Sequence, residues 1–494
     1  MSKMIINRNQ NLSPKLKAFE YQEEAYEFIK DMDYAAVFHE QGLGKTKIAI
    51  DVLLYWLEEK SIDTVLIVTK KQLIHNWEEE FRIHTSIKPR VLTNNRSNNY
   101  YVFNSATRVI ITNFETISTE KERMKLFLKS RDIGIIIDES AKLKNPNSKL
   151  TKDFFELSTL FKKRVIMTGT PVANRPFDIW AQIYFLDNGK SLGDNYEVFE
   201  RNANLSNDLS NNIEKKDAFE SFISEIFEKI KDFSIRETKD SGKVILPERE
   251  YINIWANFEK EQYELYSKLR SEMQIEVKKG DKTILDDSSA SLKRLLRLVQ
   301  ITSNPKLVDE NFSGKSAKEK ELDFLLKDIV GRGEKCIVWS SFIENVDYFN
   351  KKYQKYNAVK IHGGMSIENR NKSVDKFKKG DAKVLFATPQ SAKEGLTLTV
   401  ANNVVFYDRG FSLDDYLQAQ DRIHRISQKK TCHIYNIMIK GSIDEWIDSL
   451  LLAKQNAAKL SQGDITLEEY RRKIDYSYGD MIKDILELEE QNGR

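Results

Sequence analysis

The stretch AAVFHEQGLGKT, residues 35–46, joins a short apolar run to a glycine-rich turn that ends in Lys-Thr. Residues 35–38 have the composition of a buried strand. Apolar residues recur at helical spacing over residues 46–59, so a helix is predicted to follow the turn. A strand, a glycine-rich loop and a helix in this order favour a nucleotide-binding α/β fold.

The glycine-rich turn predicts a phosphate-binding loop. Glycine lets backbone amides approach phosphate oxygens closely, and the start of the following helix adds a favourable dipole. The predicted phosphate-binding residues are Gly42, Leu43, Gly44, Lys45 and Thr46. Among them, Lys45 is expected to neutralise phosphate oxygens and Thr46 to ligate Mg²⁺. The full eight-residue phosphate-loop pattern is not met, because His39 stands where its first glycine belongs.

A second motif, IIIDE at residues 135–139, ends an apolar run with two carboxylates. In a nucleotide hydrolase, Asp138 would hold Mg²⁺ and Glu139 would orient and deprotonate the attacking water. An Asp-Glu pair is common at the end of a strand by itself. Its place in the same α/β block as the glycine-rich turn favours the catalytic interpretation.

Two blocks of the chain alternate short apolar runs with helical patterns, which predicts two parallel sheets covered on both faces. The strands predicted in the first block are residues 35–38, 65–69, 109–112, 133–137 and 165–168. Those predicted in the second block are residues 336–340, 358–361, 384–388, 404–407 and 433–437. The expected fold class is therefore α/β with two lobes.

The segment between the two blocks contains few strand-like runs and reads as mainly helical, as does the charge-mixed tail from residue 443. We accordingly predict an N-terminal lobe over residues 1–240, of which residues 175–240 are a partly helical insertion. A helical linker is predicted over residues 241–315, and a C-terminal lobe with a helical tail over residues 316–494.

Composition excludes several classes of protein. Lys and Arg number 78 against 75 Asp and Glu, so the formal net charge of +3 does not indicate a histone-like nucleic-acid binder. Only two cysteines are present, which excludes a disulfide scaffold and a Cys-rich zinc site. No apolar run is long enough for a membrane helix, and no signal peptide is recognised at the start. A cytoplasmic protein without membrane contact is expected.

Together, these motifs and others in the same order resemble the SWI/SNF-type family of helicase-like ATPases, in helicase superfamily 2. The matching segments are Tyr21-Gln22, residues 42–46, residues 65–69 with Asn76-Trp77, residues 111–115, 138–145 and 167–171, Ile235-Arg236-Glu237, Leu246-Pro247, Trp339-Ser340, residues 395–399, and Gln418-Ala419, Arg422, His424-Arg425 and Gln428. The resemblance is to a compact bacterial, archaeal or viral member, because no histone-reading segment is recognised beside the matching region.

The resemblance implies two RecA-like lobes with ATP and Mg²⁺ held between them. Gln22 would read adenine, and Gly395 and Gln418 would complete the nucleotide-binding set. Arg422 and Arg425 are three residues apart and would share one face of a helix. They would stabilise charge on the γ-phosphate as arginine fingers do. The implied catalytic residues are thus Lys45, Glu139, Arg422 and Arg425.

The implied function is a DNA-dependent ATPase that moves along double-stranded DNA and remodels DNA or DNA–protein complexes. Candidates for the phosphate grip on DNA are Thr112, Asn113, Thr388 and residues 397–399. The alternative is a strand-separating or annealing helicase that acts on forked DNA or RNA, and single-stranded DNA or RNA is a further candidate partner. A partner-activated ATPase subunit is a third possibility, and the sequence does not identify that partner.

The chain departs from the family pattern at several positions. Ala141 stands where the family usually has a histidine that links the ATP site to the opposite lobe. Lys393, Glu394 and Thr397 make the 393–399 segment closer to the divergent, annealing-helicase-like branch. None of these changes removes a group with a predicted catalytic role.

Overall fold

The structure is a computed structural model that describes residues 11–172, 174–208, 212–243, 246–279, 288–392, 396–425 and 427–473 of the 494-residue chain. The described residues fall into two compact units. Unit 1 lies within Met1–Asn207, Asp217–Ile245 and Ala457–Arg471, and unit 2 within Asp208–Lys216, Leu246–Asn456 and Arg472–Arg494. Each unit contains one β-sheet.

The sheet of unit 1 has seven strands in the order β3-β4-β2-β5-β6-β1-β7, and every pair of neighbours is parallel. The strands are β1 (Tyr34–Val37), β2 (Thr64–Thr69), β3 (Arg90–Val91), β4 (Val109–Asn113), β5 (Ile133–Asp138), β6 (Lys163–Met167) and β7 (Ser234–Ile235). β2 and β4 are buried along their whole length, as expected for central strands covered by helices on both faces.

The sheet of unit 2 has six strands in the order β10-β11-β9-β12-β13-β8, again all parallel. The strands are β8 (Arg249–Ala256), β9 (Cys336–Trp339), β10 (Val359–Ile361), β11 (Val384–Ala387), β12 (Asn403–Phe406) and β13 (Cys432–Ile439). Successive residues of β9 enter two different hydrophobic clusters, Ile337 on one side and Val338 on the other. Both faces of this sheet are therefore covered by core.

Helices connect the parallel strands, as parallel pairing requires. The described helices up to residue 230 are α1 (Glu20–Ile29), α2 (Lys45–Glu58), α3 (Ile74–His84), α4 (Arg96–Phe103), α5 (Phe114–Thr119), α6 (Lys121–Ser130), α7 (Lys149–Ser158), α8 (Trp180–Asp187), α9 (Tyr196–Asn202), α10 (Leu205–Asp208) and α11 (Ile213–Ile230). The later ones are α12 (Lys260–Lys279), α13 (Ser288–Ser303), α14 (Ala317–Gly331), α15 (Ile343–Lys352), α16 (Ile367–Lys379), α17 (Pro389–Ala392), α18 (Leu413–Gln420), α19 (Ile443–Ser461) and α20 (Leu467–Lys473). Among the described residues, no helix is long and apolar enough to cross a membrane.

The predicted fold class is confirmed: all ten strands predicted from apolar runs are present, with bounds shifted by up to two residues. Three strands had no such run. β3 and β7 are two residues long. β8 is an edge strand whose exposed and partly buried residues alternate, so it lacks a continuous apolar core.

Two features differ from the predicted domain boundaries. From Leu246 to Asn456 the chain belongs to unit 2, whereas the predicted boundary lies after residue 240. The predicted linker then belongs largely to unit 2, because β8 pairs with β13 along all eight of its residues. Near the other end, Ala457–Arg471 packs with unit 1 and not with the C-terminal lobe. Sequence periodicity identifies such a segment as helical but does not reveal which of the two units it packs with.

Arg236 anchors that C-terminal segment within unit 1. Its guanidinium donates from Nε and Nη2 to the two carboxylate oxygens of Asp464, both at 2.6 Å. Nη1 donates to the carbonyl of Phe38, at the end of β1, at 2.8 Å. Only 12% of the Arg236 side chain and 14% of the Asp464 side chain is exposed. The bidentate pair therefore connects the C-terminal segment to the strand that leads into the glycine-rich loop.

We predict that Arg236→Ala destabilises unit 1 by about 2 to 3 kcal/mol, because the substitution leaves a mostly buried carboxylate without its cation. Hydrogen–deuterium exchange should become faster in peptides from residues 457–471 and from β1. The matched control is Lys372→Ala, which removes an ion pair with Glu368 in which both side chains are exposed. Unchanged exchange in the Arg236 variant would contradict this role.

Candidate active site

The strand register of unit 1 brings three loops to one edge of the sheet. Val37 of β1 is level with Met167 of β6, and Met167 is level with Asp138 of β5. Parallel strands end at the same edge, so the loops that follow these three residues emerge side by side. They are the glycine-rich loop, the Asp138-Glu139 pair and the loop at residues 168–171.

The glycine-rich loop has the backbone of a phosphate cradle. Gly42 and Gly44 have φ of 88° and 71°, in the left-handed region that favours glycine. Gly44 is the N-cap of α2, and a Cβ there would lie 2.2 Å from Nε2 of Gln22. Lys45 and Thr46 then open a helix of 14 residues, whose first amides and dipole favour an anion.

The ammonium group of Lys45 is held over this loop. Its Nζ donates to the backbone carbonyls of His39 and Glu40, at 2.8 and 3.1 Å. Burial, with a contribution from Lys45, lowers the pKa of His39 to about 3. His39 is thus neutral at physiological pH, whereas Lys45 brings a positive charge to this loop.

Gln22 connects the start of α1 to the glycine-rich loop. Its Nε2 donates to the carbonyl of Leu43 at 3.2 Å, and its Oε1 accepts from the amide of Phe19 at 3.0 Å. The side chain is almost fully buried. Gln22 therefore touches the loop predicted to bind phosphates, and its contact with a nucleotide stays a prediction.

Asp138 is held at the end of β5 by two donors that reach the same oxygen. Thr69 Oγ1 and Trp77 Nε1 donate to Oδ2, at 3.1 and 2.9 Å. Burial raises the pKa of Asp138, and the neighbouring charge of Glu139 raises it further. Trp77 belongs to a segment that the resemblance singles out, but no sequence pattern predicted its bond to Asp138.

Glu139 has different surroundings from Asp138. Its backbone is left-handed, with φ of 59°, a conformation that is rare outside glycine. Gln41 Nε2 donates to Oε1 at 2.9 Å, and Lys70 Nζ lies 3.3 Å from Oε2. Burial alone would raise the pKa of Glu139, but Lys70, Gln41 and Lys45 outweigh it and lower that pKa. The pKa values of these two adjacent carboxyl groups are thus shifted in opposite directions.

The oxygen donors at this edge suit Mg²⁺. The hydroxyl of Thr46 and the carboxylate of Asp138 are hard oxygen ligands, and Mg²⁺ is commonly bound by one or two such groups together with phosphates and water. Neither of the two hydrogen bonds to Asp138 uses Oδ1. Among the described residues, no group of three or more His, Cys, Asp or Glu side chains forms a metal cage.

The loop at residues 168–171 is fixed by a buried amide that the sequence analysis missed. Gln182 of α8 donates to the carbonyl of Pro171 at 2.8 Å and accepts from Ser140 Oγ at 2.8 Å. Gly169 lies against Gln41, where a Cβ would come within 2.8 Å of its Cγ. Gln182 thus ties the residue after Glu139 to this third loop.

Within unit 2, the structure places the two predicted arginines on turns, because α18 ends at Gln420. The helix face predicted from their spacing is therefore not formed. Arg422 is buried, and its Nε donates to the carbonyl of Gln418 at 2.9 Å. Arg425 is partly exposed, and its Nη1 donates to Thr397 Oγ1 at 2.8 Å. Gln418 is buried within unit 2, and Gly395 lies outside the described residues.

The residues predicted to contact DNA phosphates differ in how far their side chains are exposed to solvent. Thr112 is fully buried at the end of β4, and Asn113 caps α5 through its side chain. Thr388 is also buried. Thr397 and Thr399 are partly exposed, and Thr399 Oγ1 lies 3.2 Å from Ser427 Oγ. Their contact with DNA stays a prediction.

Comparison with known proteins places these features in a family. Residues 21–307 match the SNF2-related domain, and residues 318–427 match the helicase conserved C-terminal domain. An uncharacterized ATP-dependent helicase of Mycoplasma genitalium is 27% identical over 454 residues, covering 89% of this chain and 42% of that protein. The ISWI chromatin-remodeling complex ATPase ISW2 of Saccharomyces cerevisiae is 27% identical over 474 residues, covering 91% and 40%.

A third relative is the DNA repair and recombination protein RAD54-like of Drosophila pseudoobscura pseudoobscura. It is 27% identical over 459 residues, which cover 83% of this chain and 58% of that protein. The chain thus spans between about two fifths and three fifths of the length of these relatives. The SNF2-related match alone takes in more than half of the chain, and it includes Gln22, the glycine-rich loop and the Asp138-Glu139 pair. The chain belongs to the SNF2-related family.

Proposed function

We propose that this protein hydrolyses ATP at the edge of the unit 1 sheet and uses the energy to move along double-stranded DNA. The observation that carries the ATPase proposal is the meeting of the Lys45 loop with Glu139, which Gln41 of that loop contacts at 2.9 Å. The DNA substrate rests on family membership. Relatives of this chain are named as an ATP-dependent helicase, a chromatin-remodeling ATPase and a DNA repair protein.

Each residue of the site has a chemical task in this proposal. The amides of the glycine-rich loop and the ammonium of Lys45 bind the phosphates, and Gln22 contacts the adenine. Thr46 and Asp138 would hold Mg²⁺, which would supply positive charge to the nucleotide phosphates. Glu139 orients a water molecule and accepts its proton. The water oxygen bonds to the γ-phosphorus, the bond from that phosphorus to the bridging oxygen breaks, and ADP and phosphate leave.

From the family resemblance, we assign Arg422 and Arg425 to the stabilisation of charge on the γ-phosphate. Within unit 2, Arg422 is buried and Arg425 is partly exposed, and Nε of each donates to a backbone carbonyl at 2.9 Å. Arginines in such a role commonly contribute a large part of the rate of phosphoryl transfer.

Lys45→Ala and Glu139→Gln should both strongly reduce ATP hydrolysis, but for different reasons. Loss of Lys45 removes charge from the phosphate site, so binding of a fluorescent ATP analogue should weaken. Glu139→Gln removes the base and leaves the phosphate loop intact, so kcat should fall by about a hundredfold or more while nucleotide binding is retained. Exposed Glu58 on α2 provides the control variant Glu58→Gln, which should behave as wild type. Unchanged hydrolysis in either site variant would show that the site is misplaced.

The raised pKa of Asp138 predicts that Mg²⁺ binding depends on pH. Only the ionised carboxylate binds the cation well, so affinity is complete above this pKa and is lost as pH falls through it. The loss should begin at higher pH than for an ordinary aspartate, whose pKa is about 3.9. Mg²⁺ titrations of nucleotide binding from about pH 8 down to about pH 5 would measure it. Asp138→Asn should bind Mg²⁺ weakly at every pH; a variant that kept the wild-type profile would contradict the assignment.

Movement along the duplex is tested by displacement of a third strand from a DNA triplex. The proposal predicts ATP-dependent displacement that Glu139→Gln abolishes. A forked duplex in the same assay separates the alternatives, because efficient unwinding without a trapping strand indicates a strand-separating helicase. Failure to displace the third strand, together with such unwinding, would overturn the translocase proposal and leave the ATPase site unaffected.

A further inference from the structure

Gln41, in the glycine-rich loop, donates a hydrogen bond to the Asp138-Glu139 pair. It lies directly before Gly42, and its Nε2 donates to Oε1 of Glu139 at 2.9 Å. On the other side of the carboxylate, Lys70 reaches Oε2 at 3.3 Å. Both oxygens of Glu139 therefore have donors, one neutral and one charged.

Gln41 is itself fixed by the third loop of the site. A Cβ on Gly169 would lie 2.8 Å from Cγ of Gln41 and 2.9 Å from its backbone nitrogen. The absence of a side chain at Gly169 thus allows this loop to close against Gln41. As a result, Gln41 touches two of the loops that meet at the sheet edge and belongs to the third.

We propose that Gln41 is a positioning residue that holds the carboxylate of Glu139 in place for proton abstraction. This inference rests on the proposed ATPase function and adds a residue to its machinery. The left-handed backbone fixes the base of the Glu139 side chain, and the Gln41 amide fixes its tip. The Glu139 side chain is 13% exposed, so water replaces its hydrogen bond with Gln41 less readily than it would on an open surface.

Lys70 explains why a neutral donor matters here. Without Gln41, the carboxylate is free to turn toward the Lys70 ammonium and form a closer, charge-assisted pair. A carboxylate engaged in such a pair is a weaker base, and its oxygens point away from the place of the attacking water. Gln41 opposes this movement from the phosphate-loop side and adds no charge to a site that binds phosphates.

The test is Gln41→Met, which keeps the length of the side chain and removes the donor. We expect kcat to fall between about ten- and a hundredfold, because small displacements of reacting groups slow catalysis by such factors. The affinity for a fluorescent ATP analogue should stay within about twofold, because the amides and Lys45 are unchanged. The control is Gln354→Met, which removes an amide that donates to two backbone carbonyls in unit 2. It should leave the rate unchanged.

One further measurement separates positioning from a structural role. In single-turnover assays, adding Gln41→Met to Glu139→Gln should cause little further loss, because Gln41 acts through the carboxylate. If the loss of rate in the double variant equals the product of the two single losses, the proposal is overturned.

A second variant guards against misfolding of the first. Gln41→Asn keeps the amide but is shorter by one methylene, so it should lose the contact and lower kcat in the same way. If Glu139→Gln is inactive while Gln41→Met and Gln41→Asn match wild type, the inference on Gln41 fails and the ATPase proposal stands. If Glu139→Gln keeps full activity, the proposed site itself fails.

Discussion

The parallel register of β5, β6 and β1 is the constraint on which the site depends. Asp138, Met167 and Val37 are level across three neighbouring strands, so the loops after them leave the sheet together. These strands are almost wholly buried, and a shift of one residue would exchange the side chains that pack on the two faces of the sheet. The hydrophobic core therefore fixes the positions of polar residues that contribute little to it.

Asp138 and Glu139 lie at the end of one of these strands, and they differ in their properties because they have different neighbours. Asp138 receives neutral donors from Thr69 and Trp77, and burial raises its pKa. Glu139 receives Lys70 and Gln41, which lower its pKa in spite of burial. The two residues are adjacent in sequence, yet burial and neighbouring charges shift their pKa values in opposite directions. Pairs of titratable groups whose pKa values are shifted apart in this way are typical of catalytic sites.

Local patterns in the sequence were enough to predict the strands, the glycine-rich loop and the Asp-Glu pair, because each is a contiguous signature. Contacts between distant segments were out of reach. The bond from Gln41 to Glu139 joins residues 98 positions apart, and Arg236 reaches Asp464 across 228. Nothing local marks these side chains. Strand β8 was missed because an edge strand with exposed residues lacks the apolar run that identified the others.

The most direct test of the central claim is steady-state ATP hydrolysis by the whole chain without nucleic acid and with duplex DNA, single-stranded DNA or RNA. Wild type and Glu139→Gln would be compared side by side. The account predicts strong stimulation by duplex DNA in the wild type and none in the variant. Stimulation by single strands or RNA alone, or hydrolysis that survives in Glu139→Gln, would contradict it.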